Sequence, residues 1–532
     1  MNVDVVIAGA GPNGLMLACE LSLAGIRPLV LERLPEPTEE NRANGLVGQV
    51  VRMLDRRGLH RRLSGSPEPP RPGPSFVFGA LPLDLSVLED NPLYGLPVPQ
   101  RRIEQVLEER AVELGVEIRR GHELTGLTQD DDGVNADISG PGGPYRVRAR
   151  YLIGADGGRS RTRKLAGIDF PGVTRDDTVH RTAQAAVPAA LVDPATGGLD
   201  VPGYGPIPPF RHHRTERGMF VYAPFPSRPA LVGTTEWPTA GDDAEAFDAP
   251  MTLDDLRLSV RRVLGADLPL APPDGPGPHM LRRLVGGNTR LADRFRAGRV
   301  LLLGDAAHVH SAMGGPGLNL GLQDAVNLGW KLAAEVHGWA PPGLLDTYES
   351  ERRPAAERVI MHTQAQSALV APGAEVTALR ALFAELLADR DAVRRVAELM
   401  AGADIRYDIG GAHPLTGRWA PDLTLDTLTP DTGSGPVRLA TLTENARPML
   451  LDLTPDASLS GALSGWQDRV DAVPARVPET ASAVHDRAPV TALLLRPDCY
   501  VAWASDSPNP GADERAALRA ALTQWFGAPT SR

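Results

Sequence analysis

The first residues whose types and spacing could do chemistry are Gly9-Ala10-Gly11-Pro12-Asn13-Gly14. They follow an apolar run, Val3–Ala8, and open a stretch, Asn13–Ala24, that carries Leu15, Leu17, Leu21 and Leu23 among good helix formers, with Gly25 placed to end it. Glycines in a strand-to-helix turn permit a tight bend, let backbone amides approach a diphosphate and allow close strand–helix packing, while the helix N-terminus adds partial positive charge. Glu32 ends the next apolar run, where a carboxylate can accept ribose hydroxyls. The chemistry implied is dinucleotide binding; the bland alternative is a plain strand–helix turn. A second turn, Gly154-Ala155-Asp156-Gly157-Gly158-Arg159-Ser160, follows Tyr151–Ile153 and reads, taken alone, as an ordinary turn. A third, Gly304-Asp305-Ala306-Ala307-His308, follows Val300–Leu303 and continues into Gly314-Gly315-Pro316-Gly317-Leu318-Asn319 and another helix. It offers a carboxylate at a strand end, then a helix N-terminus able to stabilise negative charge on a reduced cofactor ring. His308 and His310 read as structural hydrogen-bonding groups beside this turn rather than catalytic ones.

The elements that must position these turns are legible in outline. A chain of 532 residues implies more than one domain. Strand, glycine turn, helix and strand within the first 33 residues are the opening of a doubly wound sheet. Residues 42–58 and 101–114 read as helices, the second with Ile103, Val106, Leu107 and Leu114 on one face. Short β-rich stretches follow to about Ala155. From about Phe170 to Val285 prolines, aromatics and short strands dominate, with one helix capped by Thr252 and Asp255. This reads as an inserted β-rich domain. A helical region runs from Gly317 to about Met400, and a Gly- and Pro-rich boundary spans Gly402–Pro421. Then Met449–Leu453, Arg469–Val473, a hairpin over Ala492–Ala504 and a helix over Ala512–Phe526 form a small α/β domain. The expected division is 1–170 with 286–400, 171–285 and 401–532.

Composition removes several classes. Hydrophobic residues make up 42 % and charged residues 23 %, which supports packed cores and not disorder. The net charge of −11 argues against a nucleic-acid partner, so anionic ligands must be held by local arginines or helix N-termini. Cys19 and Cys499 are the only cysteines and form neither a metal site nor a CxxC pair. No metal is expected. No leader and no membrane-spanning run is read, so a cytoplasmic protein without a membrane partner is expected. Lys164 and Lys331 are the only lysines.

All three glycine-rich motifs, in this order and spacing, resemble the single-component (class A) flavin aromatic hydroxylases of the para-hydroxybenzoate hydroxylase fold. Leu345-Asp346-Thr347-Tyr348-Glu349-Ser350-Glu351-Arg352-Arg353-Pro354 resembles that family's helix. The C-terminal segment is similar to the thioredoxin-like domain of the hydroxylases that tailor aromatic polyketides, without CxxC. The resemblance implies an α/β protein: a Rossmann-like FAD-binding domain, an inserted β-rich substrate domain and a C-terminal thioredoxin-like domain. It places the FAD diphosphate at Gly9, Gly11, Pro12, Asn13 and Gly14, with Glu32 and Arg33 near the adenosine and Leu124 near the adenine. It places Arg42 and Gln100 near FAD, Asp156-Gly157 at a turn shared by FAD and the nicotinamide, and Asp305 at the ribityl chain. The helix start Pro316, Gly317, Leu318 and Asn319 would face the flavin pyrimidine edge through its backbone. The sequence departs from the family at Gln49, where arginine is usual, Ala312, where proline is usual, and Pro316, where glutamine is usual. These departures bear on nicotinamide placement and flavin mobility.

The mechanism so implied needs no catalytic side chain: NADPH (or NADH) reduces FAD, O2 gives a flavin C4a-hydroperoxide, and an electron-rich phenolic ring of a polycyclic aromatic substrate takes the distal oxygen. Arg159 and Arg163 either offset the nicotinamide phosphates or form a solvated surface. A substrate pocket is expected between the insertion and the flavin. Its candidates are Phe210, His212, His213, Phe220, Tyr222, Phe225 and Trp237; alternation puts Phe220 and Tyr222 on one strand face, which could equally be core. The rivals are Baeyer–Villiger insertion beside a ketone, oxidative modification of an antibiotic, a non-oxygenase flavoprotein such as a dehydrogenase or halogenase, and a pure interaction protein. A WxWxIP motif, expected of a halogenase, is absent. Either a monomer or a homodimer is compatible with the sequence.

Overall fold

The apolar N-terminal run is strand β1 (Asn2–Ala8), and helix α1 (Pro12–Leu23) and strand β2 (Leu29–Glu32) follow it. The structure, a computed structural model, describes residues 2–38, 43–225, 228–237, 250–275, 279–311, 313–428, 436–478 and 490–530. Helix α1 is buried on nearly every side, through Leu15, Met16, Leu17, Ala18 and Leu21, as an all-round apolar helix must be. The helix expected over 42–58 is shorter. Residues 46–47 pair instead with 95–96, and Gly48, at φ +86°, turns the chain into α2 (Gln49–Asp55). A Cβ on Gly48 would lie 2.5 Å from Ala401, so only glycine fits this turn.

Helix α3 (Gln100–Glu113) buries Ile103, Val106 and Leu107. Strands β3 (Glu117–Arg120), β4 (Glu123–Gln129), β5 (Val134–Gly140) and β6 (Gly143–Gly154) follow, then the short α4 (Arg161–Leu165). The first half of β6 pairs antiparallel with β5; its second half becomes a central parallel strand, in register with β1 from Asn2↔Arg148 to Ala8↔Gly154. Both strands therefore end together, beside the first two glycine turns.

The second sheet is antiparallel. It contains β7 (Gly172–Gln184), β8 (His212–Arg214), β9 (Gly218–Phe225) and β10 (Arg228–Glu236), crossed by helix α5 (Leu253–Leu264), and then β11 (Leu281–Leu291). Thr252 and Asp255 form the expected reciprocal cap of α5. Strand β11 runs through residue 285, where the sequence reading ends the insertion. The chain then returns to the first sheet as β12 (Arg296–Ala297) and β13 (Val300–Leu302), turns at 304–306 and re-enters the second as β14 (His308–Val309). The first sheet has the order β12-β13-β6-β1-β2-β3, with β4-β5 attached to β6, and the second β8-β9-β10-β7-β11-β14. The turn at 304–306 thus joins the two sheets directly.

Four helices follow: α6 (Pro316–His337), α7 (Thr347–Val370), α8 (Ala374–Leu386) and α9 (Arg390–Ala401). Helix α6 packs on α1 through its glycines; a Cβ on Gly329 would lie 2.6 Å from Glu20 Cβ. The C-terminal module holds β15 (Thr424–Thr427), β16 (Val437–Arg438), β17 (Met449–Asp452), β18 (Asp471–Arg476), β19 (Ala492–Leu495), β20 (Val501–Ser505) and α10 (Ala512–Phe526). Its sheet order is β16-β15-β18-β17-β19-β20, and β17 and β18 run parallel. Among the described residues no single helix is long and apolar enough to cross a membrane, and no group of three or more His, Cys, Asp or Glu is placed to hold a metal ion.

Candidate functional site

The three glycine turns converge on one cavity of about 1200 Å³. Two long helices point their N-termini into it. Helix α1 starts at Gly11 and α6 at Gly315; both have proline at the first helical position and neither has a side-chain cap. Proline there costs no hydrogen bond, because its missing N–H would be an orphan anyway. The next amides, of Asn13 and Gly14 and of Gly317 and Leu318, are left for an anionic or electron-rich ligand.

The wall at α1 is Gly9, Gly11, Pro12 and Asn13. Gly9 has φ +113°, and a Cβ there would meet Ala155 O at 2.4 Å. Gly11 has open space instead: a Cβ would meet nothing within 4 Å. Gly14 does not line the cavity; a Cβ on it would lie 2.1 Å from Gly9 O, so its lack of a side chain lets α1 pack close to the Gly9 turn. Asn13 Oδ1 is buried with no hydrogen-bond partner, and its amide packs against Gly304 and Gly321. Glu32 also lines the wall, accepting from Ala10 N and Leu34 N at 2.9 Å each. It ties the glycine turn to the end of β2. Arg33, Gln100 and Leu124 complete this end, with Gln100 Nε2 donating to Glu104. Arg42 and Ala312 lie outside the described residues.

Asp156 and Gly157 form the second wall. The Asp156 carboxylate accepts from Ser160 Oγ, Arg161 N, Thr162 N and Thr162 Oγ1, so it caps α4. Arg163 is neither phosphate-facing nor solvated. It is 4 % exposed, lies 3.8 Å from the Phe170 ring centroid and donates to Ala306 O and Gly158 O. Arg159, Arg161 and Lys164 are basic groups on this wall; the sequence reading does not mention Arg161 and gives Lys164 no role here.

The third wall is Asp305, Val309, His310, Gly315, Gly317 and Leu318. His308 stays structural, with Nε2 2.7 Å from Asp324 Oδ2. Nδ1 of His310 is bonded to Ser311 O, and burial pushes this histidine down to about 4. Pro316 and Asn319 face an adjacent smaller cavity; Asn319 accepts from Val47 N and donates to Gly315 O, bracing the start of α6. Gln49 is buried and accepts from Arg52 Nη1.

None of the seven substrate candidates lines this cavity. Phe220 and Tyr222 do share a face, but it is the one covered by α5, and they pack with Val232, Leu256 and Val260. They are core. Cross-strand pairing puts His213 opposite Phe220 on that same face, where its Nε2 meets Tyr204 Oη. His212 pairs with Val221 on the other face, in a row with Gly233 and Thr182. Arg214, on that face, donates to Ala371 O at the corner of α7 and α8, so this face looks toward the helices of the first unit. His180 belongs to it too, bonded to Thr235 Oγ1; burial and His212 lower its basicity. Phe210, 57 % exposed, meets Phe225 edge-on at 5.5 Å, and Trp237 is half-buried at the end of β10. Sequence reasoning passed over His180 and Thr182, although the alternation along β7 was available to find them.

A doubly wound sheet whose glycine turns, uncapped helix ends and strand-end carboxylate share one large cavity defines a dinucleotide-binding oxidoreductase, and the open Gly11, the orphaned Asn13 Oδ1 and the second helix end fit a flavin dinucleotide. Residues 2–363 match the family described as FAD binding domain, and residues 413–529 match the aromatic-ring hydroxylase C-terminal family. The chain is 44 % identical over 537 residues to the 12-dehydrotetracycline 5-monooxygenase/anhydrotetracycline 6-monooxygenase of Streptomyces rimosus subsp. rimosus, covering 99 % of this chain and 100 % of that protein. It is 39 % identical to the rifampicin monooxygenase of Streptomyces venezuelae, covering 99 % of each. The solved structure of the anhydrotetracycline hydroxylase OxyS from Streptomyces rimosus superposes with a TM-score of 0.84 at 42 % identity, over 100 % of both chains. The chain belongs to the FAD-binding-domain family with an aromatic-ring hydroxylase C-terminal domain, and is a flavin-dependent monooxygenase with FAD as its cofactor. NAD(P)H is the reductant typical of the family.

Proposed function

We propose that the protein hydroxylates a phenolic ring of a polycyclic aromatic polyketide, with O2 and NADPH or NADH as co-substrates. The observation that carries this reading is the pair of uncapped helix ends opening into one cavity whose third wall continues into the second sheet. Names such as anhydrotetracycline and rifampicin among the relatives are the ground for choosing a polycyclic substrate. We assign the diphosphate to the α1 amides and Gly11, the adenosine to Glu32, Arg33 and Leu124, the ribityl chain to Asp305, and the ring edge to the amides of Gly317 and Leu318. Asn319 and Pro316 act on the ring by holding that helix start. Bound FAD supplies the electron and oxygen transfer. The chain's own residues orient the ring, keep bulk water from it and offer a sheet face, with His180, Thr182, His212 and Val221, on which an aromatic plane can lie. Residues 1–170 and 292–400 serve FAD in this reading. The insertion, 171–285 and onward to Leu291, serves the substrate, and 401–532 forms the C-terminal module.

The test is turnover with NADPH, isotope-labelled O2 and a panel of tetracycline- and anthracycline-like aromatic ketones, read by mass spectrometry and carbon NMR. One labelled oxygen in a new phenol or alcohol is expected. Label in a ring-expanded lactone would replace hydroxylation with Baeyer–Villiger insertion. NADPH consumption with only peroxide formed across the panel would refute this substrate class.

A further inference from the structure

Behind the third wall, a buried line of polar groups runs from the Gly304–His308 turn to the C-terminal module. The turn itself has little regular structure to hold it: β13 before it has 3 residues and β14 after it has 2. Gly304 sits at φ +59°, and its amide donates to Asp324 Oδ2 at 3.2 Å. The same oxygen meets His308 Nε2 at 2.7 Å, so one carboxylate on α6 grips both ends of the turn. Asp305, between them, faces the cavity. A Cβ on Gly304 would lie 2.1 Å from Asn13 Nδ2, so the turn also abuts the diphosphate end.

Asp324 is fully buried. Burial alone would raise its carboxyl, but Arg352 and His308 hold it below the ordinary carboxylate range. Arg352 Nε donates to Asp324 Oδ1 at 2.7 Å, and Nη2 donates to Leu320 O. Arg352 Nη1 donates to Tyr407 Oη at 3.1 Å. Tyr407 lies between α9 and the third sheet, and its ring stacks on Tyr500 with centroids 4.1 Å apart. Tyr500 stands in the turn between β19 and β20, where its carbonyl accepts from Arg496 N. Charge-assisted hydrogen bonds in a dry interior are the strong ones, and they hold geometry as well as energy.

We infer that the C-terminal module sets the position of the flavin-facing turn through Tyr500, Tyr407, Arg352 and Asp324, the last two being positioning residues for bound FAD. The inference rests on FAD occupying the cavity and is independent of the substrate oxidised, so its test uses FAD alone.

The test uses the full chain with Tyr407→Phe, which keeps the ring stack and removes only the oxygen that Arg352 donates to. Three quantities are measured together: melting of the apoprotein, FAD affinity by fluorescence titration, and visible circular dichroism of the bound flavin. FAD binding about 3- to 10-fold weaker is expected, the worth of roughly one hydrogen bond, with an altered flavin dichroism. Asp324→Asn should move both readouts in the same direction and further. If Tyr407→Phe lowers only the melting temperature, or changes nothing, with FAD affinity and dichroism as in the unaltered protein, the module is a mere stabiliser and the inference fails. Tyr407→Phe decides the matter even if Asp324→Asn does not fold.

Discussion

Gly11 and Gly14 stand in the same turn, yet a methyl group at each should have opposite consequences. Gly11 is extended, at φ −73° and ψ 177°, and its Cβ would meet nothing within 4 Å because it projects into the cavity. Alanine there strains nothing, so apoprotein stability should stay within about 0.5 kcal/mol, as for other unstrained open positions. The methyl occupies the space through which a diphosphate reaches the α1 amides, however. Loss of one charge-assisted hydrogen bond, about 1.5–3 kcal/mol, translates to FAD binding roughly 10- to 100-fold weaker. At Gly14 the Cβ would lie 2.1 Å from Gly9 O, about 1.3 Å short of the 3.4 Å of ordinary contact. That neighbour is backbone, and it has little room to retreat: a Cβ built on Gly9 would lie only 2.4 Å from Ala155 O. Gly14→Ala should therefore cost about 3 kcal/mol or more of stability, the upper end of overpacking. Scanning fluorimetry of the apoproteins and flavin-fluorescence titration separate the two effects. A Gly11→Ala protein that binds FAD normally would refute the seating of the diphosphate at this turn. A Gly14→Ala protein of unchanged melting would refute the packing argument.

Phe220→Ala should cost about 3–5 kcal/mol in chemical denaturation, the usual range for an aromatic removed from a core, with FAD affinity unchanged; weaker FAD binding at full stability would return Phe220 to the site. Arg163→Ala should lower the melting temperature and leave the KM for NADPH alone, since Arg163 covers Phe170 and two carbonyls; a raised KM at unaltered melting would put it back on the phosphates. Apoprotein stability should fall in two acid stages. Burial holds His310 and His362 down to about 4, so between pH 6.5 and 4 the unfolded chain takes up protons that the fold refuses. Burial opposes the charge on Glu351, but Arg496 and Lys331 hold it at about 2. Its contribution is complete above the ordinary value of 4.5 and is lost as pH falls through 2. Denaturation midpoints that stay flat from pH 6.5 to 4.5 would contradict the first stage.

The first glycine turn was legible because strand, turn, helix and Glu32 are all local signals. The second sheet was half legible. Alternation correctly paired Phe220 with Tyr222, but which face is covered depends on where the helix over 253–264 packs, and no local pattern states that. The helix expected from 42 was cut short by Gly48, whose requirement comes from Ala401, far along the chain. Arg163 was misjudged because its partner, Phe170, lies beyond the end of its helix. Asp324 and Lys331 left a signal that went unused. They are charged residues on a helix whose neighbouring positions, Leu320, Leu322, Ala325, Val326 and Leu328, are buried and apolar. Such charges must be paired, and Arg352 and Glu351 were their available partners.

The two lysines have sharply different surroundings. Lys331 is sealed between Asn327 and Glu351, where burial pushes it down to about 8, while Lys164 is exposed on the cavity wall. An acylating dye therefore has one side-chain amine to find in the native fold. Labelling plants a reporter at the cofactor's doorway, and amine-coupled beads would tether the enzyme there, mouth to the matrix.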